Sequence, residues 1–282
     1  MDAENRYFID TASGAEMARL LDQDRLLTKA LGGLFPEFEP SEIDSIQNIL
    51  DLGCGPGGWV QEVAFQYRDK VVMGVDCDRE MIQYAQSSVE LQGLKNAAFH
   101  VMDATQPLSL ASDFFDLIAG RLIVNFLTPT TAKDIIQECY RLLQPGGFIR
   151  LCEIEIPLTN SFALEMIWRW LYQALYKIGQ SFSPSGELLG IVPMLGRMLQ
   201  QGGFQKIRQV PLLIDHSAGT EFHHGFQQNF ITICKLYEPF VLNLGITTAE
   251  EFDRTYEQMC LDMLEEDFRS LLLFVSAVGT KP

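Results

Sequence analysis

The sequence predicts an α/β fold in which a mostly parallel sheet carries helices on both faces, and three observations lead to it. Residues 48–60 read as strand, tight loop and helix: apolar residues run up to Asp51, glycines stand at 53, 55, 57 and 58, and a helical pattern opens near Val60. Residues 71–76 form a short, almost continuously apolar run ending in Asp76, the pattern of a parallel strand buried on both faces. Further short runs at 98–102 and 115–120 alternate with helical spacings, as βαβ units do.

Taken in order, residues 15–31 place Met17, Leu20, Leu21, Leu27 and Leu31 at helical spacing, with Gly32, Gly33 and Pro36 as stops. Arg19 and Gln23, four apart, share a face of that helix. Tyr7 to Ile9, ahead of it, form a candidate flap. Strand one is 46–51 and its helix 59–67. Without Cβ atoms at Gly53, Gly55 and Gly57 the chain between them can reach positive φ and approach a ligand closely, while the helix N-terminus favours a negative group. Asp78 suits the N-cap of the helix through Met81, Ala85 and Val89. Strand three is 98–102, with His100 expected in its packed core, and strand four is 115–120. The spacing of Ile135, Ile136, Cys139, Leu142 and Leu143 predicts a helix over 131–143, ended by Pro145, Gly146 and Gly147. Residues 148–156 alternate before Pro157 as strand five and carry Glu153 and Glu155.

The second half predicts a helix over 161–179 that is apolar nearly all round, with Trp168, Tyr172 and Tyr176 as an aromatic stripe. That stripe is a candidate substrate wall, and equally a core or dimer contact. A helix over 188–201, a strand over 204–215, two helices over 222–244 and 247–268, and a last strand over 271–278 follow. Pro239 predicts a kink, and Thr248 with Glu251 has capping-box spacing. His223 and His224 open the first of these helices and are candidate general bases.

The loop is ambiguous alone: Gly53, Gly55 and Gly58 satisfy G-x-G-x-x-G, and Asp76 follows at the distance of a ribose-holding acid in a dinucleotide site. The flanks decide. Asp51, Leu52, Gly53, Cys54, Gly55, Pro56, Gly57 and Gly58 resemble the first motif of the class I S-adenosylmethionine (SAM)-dependent methyltransferases. The resemblance continues in order through 71–76, 100–104, 115–121 and 142–148, and covers about residues 7–204.

It implies a Rossmann-like sheet of seven strands with the last antiparallel, a single domain over 1–282, a helical cover over 1–46, and helical insertions over 160–182 and 219–267 that form a substrate lid. It also implies SAM as cofactor, with S-adenosylhomocysteine as product. Asp51, Gly53, Cys54 and Gly55 would then face the methionine half, Asp76 the ribose, and Cys77 and Met81 the nucleoside beside it. Asp103 would accept from the adenine amino group and the Ala104 amide donate to the ring. Gly120 and Arg121, with Arg19 and Gln23 from the cover, would hold the amino-acid tail, and Asn125 would face a small organic acceptor, in the manner of secondary-metabolism enzymes. Tyr7, Trp168, Tyr172 and Tyr176 would wall that acceptor.

Methyl transfer from a sulfonium is an in-line displacement dominated by placement and exclusion of water, requiring no protein nucleophile or metal. Asn125, His223, His224 and Glu153 are the candidate catalytic side chains, whether the accepting atom is oxygen, nitrogen or carbon. A SAM-binding protein of non-methylating activity and an NAD(P)-dependent oxidoreductase are the alternatives.

Among 282 residues, 21 basic and 37 acidic side chains leave a formal charge of −16, which disfavours nucleic acid as a partner. The six cysteines form no C-x-x-C pair and no metal spacing, so they read as reduced thiols of a cytoplasmic protein. No run of about 18 apolar residues would cross a membrane. A monomer and a homodimer fit the sequence equally.

Overall fold

The computed structural model describes residues 14–282. The cover contributes α1 (Gly14–Ala30) and α2 (Pro40–Ser45). Then come β1 (Asn48–Leu52), α3 (Gly58–Gln66), β2 (Val71–Asp76), α4 (Arg79–Gln92), β3 (Ala97–Val101), β4 (Phe115–Arg121), α5 (Ala132–Leu142) and β5 (Leu143–Ile154). The second half runs through β6 (Leu158–Thr159), α6 (Phe162–Lys177), a 3-10 turn (Val192–Met194), α7 (Leu195–Gln201), β7 (Gln205–Asp215), α8 (His223–Asn243), α9 (Ala249–Asp262) and β8 (Ser270–Thr280).

One sheet has the order β3-β2-β1-β4-β5-β8, with β7 on the far side of β8. β1 to β5 pair in parallel, whereas β8 runs antiparallel to β5, β6 and β7. Among the described residues the sheet has eight strands where the sequence predicts seven, because pairing to β8 resumes for two residues after Pro157. Period-two alternation separates two cores. Ile49, Val72 and Leu117 face α3 and α4, while Leu50, Leu52, Ile118 and Leu151 face the core shared with α5 to α9. β4 is buried over six of its seven residues, as a central parallel strand should be. His100 corrects the expectation of a packed residue: it is exposed, because among the described residues β3 is the sheet's edge and pairs only with β2.

Local chemistry starts the helices where the sequence predicts. The Asp78 carboxylate accepts from the amides of Glu80 and Met81, and the Thr248 hydroxyl from that of Glu251. The reciprocal arm at α9 differs from a capping box, since the Glu251 carboxylate accepts from the Thr247 hydroxyl. Thr248→Ala is expected to lower stability by about 1 kcal/mol, read from the urea midpoint.

Candidate functional site

The carboxyl ends of β1, β2 and β4 and the segment after β3 open into one cavity of about 680 Å³, roofed by α1, α6 and α8. At its sheet end lies the loop after β1. Gly53 and Gly57 have φ of +67° and +79°, and added Cβ atoms would come within 2.8 Å of the Phe126 ring and 2.5 Å of the Phe99 ring. Glycine is therefore required both for the backbone conformation and for close packing. The Asp76 carboxylate accepts from the Gly55 amide at 2.9 Å through one oxygen and from the Asp78 amide at 2.9 Å through the other. Burial pushes this carboxyl above its ordinary value, against the two amides that lower it. At the end of β3, one Asp103 oxygen takes the amide and hydroxyl of Thr105.

α1 lies along this end. Its Asp24 pairs with Arg121 at 2.5 Å and presses on Gly58, where a Cβ would meet the Asp24 carboxylate at 2.5 Å. A carboxylate there complements the N-terminus of α3. Arg121 also donates to the Thr28 hydroxyl. Arg19 is buried and forks onto Glu16 with two contacts of 2.7 Å, its remaining nitrogen donating to Gln23 and to Asn229 of α8.

The far end is built by two helical stripes at i, i+3, i+4, i+7. Trp168, Leu171, Tyr172 and Leu175 come from α6, and Phe226, Asn229, Phe230 and Ile233 from α8. Leu272 and Phe274 of β8 complete the wall. Trp168 packs edge-on to Phe230 at 5.4 Å between centroids, so these rings form a continuous surface. The indole nitrogen of Trp168 is buried, with no hydrogen-bond partner among the described residues. Burial also pushes the Tyr172 hydroxyl well up.

Between the two ends runs the segment after β4. Leu122 has φ of +56°, a conformation unfavourable for a branched side chain. It is held because its amide donates to Cys152, and the next amide, of Ile123, donates to the fully buried Glu153 carboxylate at 2.7 Å. The segment carries Asn125 to the cavity wall, with its side-chain oxygen buried and without a partner among the described residues.

Of the residues named from the sequence, Arg19, Gln23, Gly53, Cys54, Gly55, Asp76, Cys77, Met81, Asp103, Ala104, Arg121, Asn125, Trp168 and Tyr172 all line this cavity. Others lie elsewhere. Asp51 borders an adjoining polar void of about 30 Å³ with Asp24, Arg121 and Arg150. Burial pushes its carboxyl to about 8, with Asp24 adding to the rise and the two arginines opposing it. Gly120 is buried in the sheet between Leu52 and Leu151. Glu153 is spent on the Ile123 amide. The ring of His223 meets the His216 carbonyl at 3.0 Å, and His224 is exposed; neither lines the cavity. Tyr176 is turned outward beside Gly186, because it falls off the 168, 171, 172, 175 stripe. Tyr7 lies outside the described residues.

Sequence reasoning missed Asp24, Asn229, Phe226, Phe230 and Ile233. The i, i+3, i+4, i+7 spacing from Phe226 to Ile233 was the available signal for four of them, and the placement of Asp24 one residue past Gln23 for the other.

The donor set fits SAM: a half-buried acid with both oxygens amide-oriented at the end of β2, and a glycine cradle that side chains would fill. Among the described residues no helix is long and apolar enough to cross a membrane, and no group of three or more metal-ligating side chains occurs.

Residues 49–147 match the family model of a methyltransferase domain. An N-methyltransferase, sirN, of Leptosphaeria maculans is 27% identical over 53% of this chain and 50% of its own length. A malonyl-[acyl-carrier protein] O-methyltransferase of Enterobacter lignolyticus is 34% identical over 36% of each chain. The chain thus spans about half or less of the length of these curated relatives. The solved phosphoethanolamine N-methyltransferase 2 of Haemonchus contortus in complex with SAM shares the fold, with a TM-score of 0.54 and 15% identity over 95% of this chain and 57% of that one. Residues 49–147 thus carry a methyltransferase domain, and the five ordered motifs in and around it are similar to those of the class I SAM-dependent methyltransferases, a family that uses S-adenosylmethionine.

Proposed function

We propose that this protein transfers a methyl group from SAM to a small organic acceptor. The observation that carries the proposal is the single cavity joining the glycine loop, Asp76 and Asp103 to the wall of α6 and α8. A volume near 680 Å³ falls within the range of about 300–1,000 Å³ usual for small-ligand sites, and it has to seat both molecules, so the acceptor is small.

When bound, SAM supplies an electrophilic methyl group on a sulfonium whose leaving group is neutral. The chain's residues then bind, orient and exclude water. Asp76, with each oxygen already fixed by an amide, accepts from the ribose hydroxyls, and Asp103 with the Ala104 amide reads the adenine edge. Cys77 and Met81 flank the nucleoside. The glycine loop, with Cys54 and Asp51 behind it, Gln23 and Arg121 border the amino-acid tail. The Gly120 carbonyl remains a proposed partner of its ammonium.

Asp24, Asp76, Asp78 and Asp103 line this end against Arg19 and Arg121, so it is net acidic. Such an end favours a cation over its uncharged product. Asn125, on the segment after β4 that runs between the two ends, is the polar side chain offered here to the acceptor. His223, His224 and Glu153 find no support as bases in their positions off the cavity.

The test is calorimetry with SAM and S-adenosylhomocysteine, followed by mass spectrometry of acceptor panels for a gain of one methyl group. Binding of SAM with no methylated product from co-purified or cell-extract metabolites, under conditions that turn over a control methyltransferase, would overturn the proposal.

A further inference from the structure

We infer that the acceptor seated against α6 and α8 is an uncharged, apolar molecule of ring size, so that acceptors carrying a carboxylate, phosphate or ammonium group are rejected. This deepens the methyl-transfer reading and rests on it.

The charges of the cavity are segregated. Asp24, Asp76, Asp78, Asp103 and Arg121 all belong to the end formed by the sheet edge and α1. From α6, α8 and β8 the lining receives no ionisable group except the Tyr172 hydroxyl. Arg19, the cation that reaches toward α8, is already forked on Glu16 and shared with Gln23 and Asn229. Among the described residues, an ionised group brought to this end would lose its water and meet no counter-charge, which is strongly unfavourable.

The wall has little polar capacity to offer in exchange. Asn229 gives its side-chain oxygen to Arg19. Among the described residues, Trp168 and Asn125 each hold a buried polar atom without a partner, the first a donor and the second an acceptor. One or two neutral polar atoms on the acceptor are what such a wall can satisfy. Its breadth comes from aromatic surface, with Phe226 and Phe230 at 6.0 Å and Trp168 and Tyr172 at 6.0 Å between centroids, which suits a flat ring.

The test uses one ring with interchangeable groups on protein saturated with S-adenosylhomocysteine. Calorimetric titrations compare 2-naphthol, 2-naphthoate and 2-naphthyl phosphate at pH 7. The neutral compound is expected to bind at least about tenfold more tightly than either anion. Ile233→Lys, at a half-buried position of the wall, is expected to reverse the order in favour of 2-naphthoate while S-adenosylhomocysteine binds as before, which also reports that the variant is folded. Equal or tighter binding of an anion to the unaltered protein, or no binding of 2-naphthol, would overturn the inference. Loss of S-adenosylhomocysteine binding by the unaltered protein is a separate outcome: it removes the methyl-transfer reading, and this inference with it.

Discussion

Asp76→Ala is expected to weaken binding of SAM and of S-adenosylhomocysteine by roughly 100-fold, the loss of two charge-assisted hydrogen bonds of about 1.5 kcal/mol each. The substitution acts twice. It removes the acceptor proposed for the ribose, and it frees the Gly55 and Asp78 amides that the carboxylate now fixes. Asp76→Asn separates the two effects, since its amide keeps one acceptor oxygen and should give an intermediate loss. Calorimetry with S-adenosylhomocysteine reads both variants, and unchanged affinity in Asp76→Ala would take this residue out of the site.

The second large effect concerns stability. Glu153 is fully buried, its carboxyl has one amide donor, and one oxygen has no partner among the described residues. Burial pushes the carboxyl up to about 8 from an ordinary 4.5, the Ile123 amide opposing and Glu155 adding to the rise. A folded value above the unfolded one means that the neutral acid stabilises the fold. That contribution is complete below the unfolded value and is lost as pH rises through the folded one. Glu153→Gln keeps an oxygen for Ile123 and removes the titration, so its stability relative to wild type should grow by a few kcal/mol between about pH 4.5 and 8.5. Urea midpoints at pH 5.5 and 8.5 test this, and parallel profiles for the two proteins would refute it.

The cofactor end was legible because its determinants are local. Glycine spacing fixes a loop, an apolar run ending in Asp76 fixes a buried strand and its tip, and Asp78 starts a helix, all within about thirty residues of chain. The far end was less legible because its wall joins α6 to α8, and only contact between them decides which face of each turns inward. Tyr176 shows this: its spacing from Trp168 and Tyr172 suggested one stripe, but the inward face runs through Leu171 and Leu175. Glu153 illustrates a different gap. In sequence it is an acidic residue near a strand end, and nothing local reveals that it anchors the left-handed turn at Leu122. His100 went wrong for a topological reason, since strand order, which leaves β3 at the edge, is not written in its alternation.

One helix borders both ends of the cavity. Asp24 of α1 sits against the glycine loop, while Arg19, one turn earlier, reaches Asn229 of α8, and Leu26 closes on Gly225. Ligands at the two ends would both lean on this helix, so a tilt that suits one is expected to be felt by the other. Linkage then requires that any preference the first imposes on the second be returned in equal measure. Affinity for the acceptor should accordingly be quoted for a stated state of the nucleoside site, and the reverse.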